Sequence, residues 1–571
     1  MTTQLTRRAL LRRGTRAALF LAGGAALAAC GLSPAGTAAP AGTTRPARAP
    51  RQPNPGFVPD VEIRLRAALA EAAILPGRPT QVWSYQAELL TGDPGSLQAI
   101  PGSFLGPTIR VRRGQKLRVH FSHELPGTDT RSIVHWHGLT LPSEQDAHPR
   151  HAIAAGQTYV YEFTVADRAG TYWYHPHPDM ATGRQVYQGL AGLFIVSDDE
   201  EQALGLPSGE QDLALVIQDR SFDGDNQLVY AAGDPMAGAM DYLMGFLGER
   251  VLVNGQFDTS IEVATRAYRL RLLNGSNART YKLGWEDGTL LTVIASDGGL
   301  LERPVERPYV TLSPGERVEL WADFSGRAVG SELTLASLAF EGAEGAGAQE
   351  LSGMNSADAG GHGGHDMGNT GGGHDMGAMA STMANAPAQG APLTVLRVRV
   401  TEHAESDDAL PSVLSSLSRH RIEEAVNRDK PRSFTMTQPG VRWELNGRVY
   451  EPDTIAADET VRLGELEVWE LVNALNAGET RHPQGMLHPF HIHGLQFQVI
   501  GREVLPELRA GWESVSAGFV DEGWKDTVLL MPGERVRLLL RFAAHTGTYM
   551  AHCHILEHED MGLMRNIEVV G

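Results

Sequence analysis

"GTYMAHCHILEHED" runs from Gly547 to Asp560, close to the end of the chain. Its pattern occurs twice. "HIHGL" (His491–Leu495) precedes it, as "HWHGL" (His135–Leu139) precedes "GTYWYHPH" (Gly170–His177). Both copies read H-x-H-G-L and then G-T-Y-x-x-H-x-H. Two composite patterns recurring in one order imply two related domains, one near each end. A fainter echo extends the repeat. "AAGQTYVYEF" (Ala154–Phe163), "SPGERVELWADF" (Ser313–Phe324) and "MPGERVRLLLRF" (Met531–Phe542) each set a glycine turn before an alternating strand. Three related domains follow, the middle one without histidine pairs. A chain of 571 residues is too long for one compact core, which agrees.

The hydrophobic period is two. Ile109 and Val111 alternate before a turn, and Leu117, Val119 and Phe121 after it. Tyr159, Tyr161, Phe163 and Val165 repeat the pattern. Helical periodicity is weak apart from short stretches such as "SVLSSLSRHRIEEAV" (Ser412–Val426). An all-β fold of three Greek-key β-sandwiches is expected.

On a strand, side chains at i and i+2 share one face. Each H-x-H therefore presents two imidazoles to one spot. There are four such pairs: His135/His137, His175/His177, His491/His493 and His552/His554. Eight imidazoles exceed what one metal ion takes, so they suit a cluster of several metals. The pairs come equally from the first and last domains, so the cluster is expected between them. Cys553 lies between two cluster residues and faces away. With His488 and His558 it forms the two-imidazole, one-thiolate set of a blue-copper electron-transfer site. The matching first-domain position is Pro176, so one such site is expected.

The formal net charge of -19 argues against nucleic acid or an anionic membrane surface as partner. The N-terminus reads as a targeting segment. "TRRALLRR" (Thr6–Arg13) puts paired arginines before the short apolar stretch "AALFLAGGAALAA" (Ala17–Ala29), which is too short to span a bilayer. Arg7-Arg8 resembles a Tat signal. "LAAC" (Leu27–Cys30) resembles a lipobox, with a lipid anchor at Cys30; the alternative is an ordinary signal cut near Ala39. Export to the periplasm or cell envelope is expected. A Pro/Ala/Gly/Thr tether (31–56) follows the signal (1–30). The expected domains span 57–198, 205–400 and 408–571. An insert at about 345–390 belongs to the second.

Taken together, "HWHG", "HPH", "HPFHIHG" and "HCHILEHED" resemble the copper motifs of the multicopper oxidases, over about Val61 to Gly571. The resemblance implies three cupredoxin-like domains and four copper ions: one type 1, one type 2 and two type 3. It gives His488, Cys553 and His558 to type 1, and His135 and His491 to type 2. It gives His137, His175 and His552 to one type 3 ion, and His177, His493 and His554 to the other. It implies one-electron oxidation of a substrate coupled to four-electron reduction of O2 to water. Asp146 and Glu559 match carboxylates that deliver protons to the reduced oxygen. Bacterial relatives place an axial methionine at the position of Leu563. Losing that thioether favours Cu(I), so a comparatively high type 1 potential is expected. A shift that seats Met561 or Met564 is the alternative.

The insert carries "GGHDMG" twice (Gly363–Gly368 and Gly372–Gly377), among further methionines. Thioethers suit Cu(I) and imidazole adds Cu(II) affinity. It resembles the Met-rich lid of bacterial cuprous oxidases involved in copper tolerance. His362, His365, Met367, His374 and Met376, with Met486, are the substrate-copper candidates; an aspartate of those enzymes is Gln484 here. A monomer acting on Cu(I) is expected. A laccase acting mainly on phenols and a copper-sequestering resistance protein are the alternatives. "HILEH" (His554–His558) also fits an inverted zinc-protease motif, but that motif needs a helix, whereas "GTYMAHCH" reads as a strand.

Overall fold

The computed structural model describes residues 51–126, 131–230, 243–342, 386–405, 408–439, 442–475 and 485–571. Among them, strands dominate and pair into six larger sheets that form three β-sandwiches.

The same wiring recurs three times. In the first sandwich, strand Val61–Ala72 pairs antiparallel with Thr80–Thr91 and parallel with Lys116–His123, which pairs antiparallel with Thr158–Thr164. The second repeats this order with Arg250–Val253, Asp212–Arg220, Ala267–Asn274 and Arg317–Asp323. The third repeats it with Glu444–Leu445, Arg432–Thr437, Leu466–Asn473 and Glu534–Arg541. A parallel neighbour cannot be reached by a hairpin, so each sandwich needs a crossing connection. These are the Greek-key β-sandwiches that the alternating sequence predicts, and the cupredoxin-like domains that the resemblance implies.

The alternation explains the burial. Lys116–His123 buries Leu117, Val119 and Phe121 and turns the residues between outward. They meet Val61, Ile63 and Leu65 of the parallel neighbour in one core with Trp136 and Tyr161. Burying a side chain of this size stabilises by about 1.5–3 kcal/mol. The glycine turn of the repeat is held in the same way each time. Gly156, Gly315 and Gly533 have φ of 82°, 85° and 66°, the left-handed region that favours glycine. The residue two before the glycine donates its N–H to the side chain one after it. Ala154 donates to Gln157 Oε1 (2.9 Å), Ser313 to Glu316 Oε2 (2.8 Å) and Met531 to Glu534 Oε2 (2.7 Å).

One local expectation is corrected. Ser412–Val426 forms no α-helix; a 3-10 turn at Ile422–Glu424 is its only helical part. The segment lies along the middle sandwich. Leu414 N–H donates to Glu302 O (2.9 Å), Ser415 Oγ donates to Leu301 O (2.9 Å), and Leu414 is buried beside Ile294 and Leu300. Tertiary hydrogen bonds replace those a helix would have made.

Candidate metal centre

The four histidine pairs sit at equivalent places in the outer sandwiches. Strand Val134–His137 pairs antiparallel with Gly170–Pro176, setting His135 opposite His175. Strand His488–Ile492 pairs antiparallel with Gly547–Cys553, setting His491 opposite His552. Residues opposite each other point to the same face. His177, His493 and His554 follow just past the strand ends. The two faces meet: His135 stacks on His493 with ring centroids 3.9 Å apart, and His137 on His491 at 3.8 Å. All eight rings are buried.

The ring nitrogens show what the site is built to hold. His135 Nδ1 donates to Asp146 O (3.1 Å), and His491 Nδ1 donates to Asp526 O (2.8 Å). In a neutral imidazole the other nitrogen then carries a lone pair. Those two Nε2 atoms face each other at 3.4 Å. His552 Nδ1 donates to Cys553 O (3.0 Å) and His493 Nδ1 to Asp146 Oδ2 (3.0 Å), and their Nε2 atoms also face each other at 3.0 Å. Two lone pairs cannot hydrogen-bond, so such facing pairs call for a cation between them. His175 Nδ1 donates to Pro176 O (2.9 Å), while its Nε2 and both nitrogens of His554 are buried with no hydrogen bond. Burial holds all eight rings below the usual histidine range, His552 at about 4, so they are neutral and free to act as ligands.

Candidate ligand atoms converge, within 4.8 Å of one another, in overlapping sets, His137 serving in two of the all-histidine ones and Asp146 joining His135 and His493 in another. One is His135, His137 and His491; a second is His137, His175 and His554; a third is His177, His493 and His552. This corrects the partition that the resemblance implied: His552 and His554 exchange places. The reason lies in the ladder. His552, still on the strand, brings its Nε2 to 3.0 Å from that of His493 and 3.3 Å from that of His177. His554, past the strand end, turns towards His137 and His175, with centroids at 5.0 and 5.4 Å.

The fourth set is His488, Cys553 and His558. Cys553 is a free, buried thiol. Its Sγ lies 3.4 Å from His488 Nδ1 and 3.7 Å from His558 Nδ1. Burial pushes the thiol up, so it is a poor anion until a cation joins it. His558 Nε2 donates to Leu243 O (3.0 Å). Trp443 covers both imidazoles, its centroid 4.7 Å from His488 and 4.4 Å from His558. Leu563 is fully buried in the core that contains Cys553, and its carbonyl accepts the Cys553 N–H (3.1 Å). Met564 pairs with His552, hence on the opposite face, and packs on Tyr450 and Met550. Seating Met564 beside the thiol is therefore ruled out. Met561 is half-buried against the Cys553 core.

Both carboxylates sit at the imidazole cluster. Asp146 accepts from His493, and its Oδ1 makes no hydrogen bond. Glu559 lies 3.4 Å from His177 Nε2 and 3.3 Å from His552 Nδ1. Burial raises both above the usual carboxylate range, and neighbouring Asp560 raises Glu559 further. Both carboxyls therefore hold a proton more readily than a solvated carboxylate does. Met486 is half-buried against the Cys553 core. His362, His365, Met367, His374 and Met376 lie outside the described residues, as do Gln484 and Cys30.

Sequence reasoning missed the supports: Trp443, Leu243, Asp526 and Arg317. One signal was available. Lys525 and Asp526 put two charges directly before the wholly buried strand Thr527–Leu530, where charge needs a partner.

The multicopper oxidase family matches this chain over residues 81–201 and again over 425–570. A laccase from Bacillus stratosphericus is 30% identical over 537 residues, covering 86% of this chain and 91% of that protein. The multicopper oxidase mco of Staphylococcus aureus is 28% identical over 487 residues, covering 85% and 86%. The solved structure of the multicopper oxidase McoA from Aquifex aeolicus superposes with a TM-score of 0.68 at 31% identity, over 90% of this chain and 97% of that one. With the histidine pairs of two sandwiches converging on one site and a thiol set beside it, the chain belongs to the multicopper oxidase family, a copper-binding oxidoreductase that uses O2 and an electron-donating substrate.

Proposed function

We propose that this oxidase takes electrons from Cu(I) at the His488–Cys553–His558 set and delivers them to O2 at the eight-imidazole cluster. Copper held by these residues supplies one-electron transfer and the reduction of dioxygen. The arrangement of Cys553 carries the reading. Its side chain belongs to one ligand set, and its peptide bonds join it to His552 and His554, one in each of two sets of the imidazole cluster. A short covalent path thus links the thiol set to the cluster. Asp146 and Glu559, raised by burial and set beside the cluster, are the groups placed to pass protons to it. We assign four ions: one type 1 at the thiol, one type 2 at His135 and His491, and a type 3 pair. In that pair His137, His175 and His554 hold one ion, and His177, His493 and His552 the other.

The insert supports Cu(I) as donor, because thioethers beside imidazoles select that ion. Phenol oxidation is the second reading, favoured by the laccase at 30% identity. We further propose export through the twin-arginine segment, a lipid anchor at Cys30 in the cell envelope, and action as a monomer in copper tolerance. Oxygen uptake by the copper-loaded protein separates the substrates. Cu(I) should sustain uptake with a higher kcat/KM than a phenol, and removing Gly353–Met383, which spares the Pro387–Gly390 contacts to Arg279 and Phe340, should lower the Cu(I) value alone. Uptake with the phenol but none with Cu(I) would leave a laccase. Bound copper without steady uptake on either would leave copper sequestration.

A further inference from the structure

The middle sandwich supplies none of the eight imidazoles, yet one of its side chains governs how one of them is held. His135, His175, His491, His493 and His552 each give Nδ1 to an oxygen acceptor and keep Nε2 for the site. His137 is turned round. Its Nε2 lies 3.0 Å from Asp526 Oδ1 and 3.2 Å from Thr527 Oγ1, and its Nδ1 is buried with no hydrogen bond.

Asp526 is fully buried and held by Arg317, which is also fully buried. Nη1 donates to Oδ1 (2.7 Å) and Nη2 to Oδ2 (2.6 Å). The other three N–H groups of the guanidinium are also used. Nε donates to Thr171 O of the first sandwich (2.9 Å), Nη1 to Gly315 O (3.0 Å) and Nη2 to Asp297 O (3.0 Å). All five donors of this arginine are matched, and its acceptors come from all three sandwiches. Room for the clamp is reserved beside His137. A Cβ at Gly138 would come within 2.6 Å of both Arg317 Nη2 and Asp526 Oδ2.

We infer that Asp526, clamped by Arg317, is a positioning residue that makes Nδ1 the metal-facing nitrogen of His137. The inference rests on the copper reading above. A carboxylate oxygen against Nε2 keeps the proton of the neutral ring there and leaves the lone pair on Nδ1. Second-layer acceptors of this kind fix ligand orientation, and losing one costs about 10–100-fold in metal affinity. The middle domain thus takes part in the cluster without giving it a ligand.

Asp526→Asn tests this in the full copper-loaded chain. The amide can donate to Nε2, which reverses the proton placement at almost constant shape. The expected result is about 10–100-fold weaker copper binding at the cluster, read as copper per chain and near-ultraviolet absorption. The visible thiolate band of the Cys553 site stays at full intensity. Lys525→Gln is the control for general packing loss: it breaks the neighbouring buried pairs with Asp297 and Glu316 and should lower the melting temperature with the cluster retained. Should Asp526→Asn fail to fold, Arg317→Lys, which keeps the charge but loses the two-pronged grip, should show the same selective loss. Cluster copper held at wild-type affinity in the variant that folds would overturn the inference, and so would equal cluster loss in Lys525→Gln. A wild-type protein with neither the visible band nor cluster copper would instead sink the copper reading itself.

Discussion

Leu563 shows how one side chain is placed by its neighbours' hydrogen bonds. Its carbonyl accepts from Cys553, and its side chain packs in the same core. The ladder that pairs Met564 with His552 turns that thioether to the other face. Leu563→Met places a thioether on the Cys553 face, which should lower the type 1 potential. Redox titration of the visible band measures it, and an unchanged potential would mean that position 563 does not face the metal. Most candidate ligands were legible in the sequence at this scale, because i and i+2 positions on a strand share a face whatever surrounds them. Their ring nitrogens were not. Hydrogen-bond acceptors from other strands decide which nitrogen is free, as Asp526 does for His137.

The glycine turn is the element that the repeat carries most faithfully, yet its three copies have different neighbours. At Gly315 an added Cβ would lie 3.0–3.1 Å from the ring of His554. At Gly533 its nearest neighbours would be the side-chain ends of Leu508 and Leu505, at 2.6 and 3.0 Å. Gly315→Ala and Gly533→Ala should each cost about 1–2 kcal/mol of stability, from a left-handed backbone with a Cβ. Only Gly315→Ala should also lose cluster copper. Thermal melting and copper analysis of the two variants test this, and equal copper in both would show that the turn does not support His554. The stretch Ser412–Val426 marks the limit of local reading. Leu414 and Leu417 are spaced as on a helix face, and both are buried. The burial of Leu414 comes from lying along the middle sandwich, whose backbone accepts hydrogen bonds from Leu414 and Ser415 in place of those a helix would have kept to itself.

Across the whole molecule, buried ion pairs join the middle and last sandwiches behind the cluster. Lys525 Nζ lies 3.1 Å from Asp297 and 2.9 Å from Glu316, and the flanking carboxylates raise its pKa despite burial. Removing it as Lys525→Gln takes the cation from buried Glu316 and leaves Asp297 only Arg317 at 3.7 Å, so a loss of about 3 kcal/mol is expected in denaturant or thermal unfolding. A loss under about 1 kcal/mol, the scale of an exposed pair, would show that water reaches the interface. By itself the sequence determined the three alternating sandwiches, the identity of the eight imidazoles and the thiol trio, since strand period and repeat are local properties. The tertiary structure alone decided which rings share a set, and that of two equivalent arginines in the repeat, Arg317 is fully buried while the Arg535 side chain is 45% exposed. Both outcomes depend on how separate sandwiches dock. Docking is fixed by contacts between residues far apart in the chain, and no spacing along one segment encodes it.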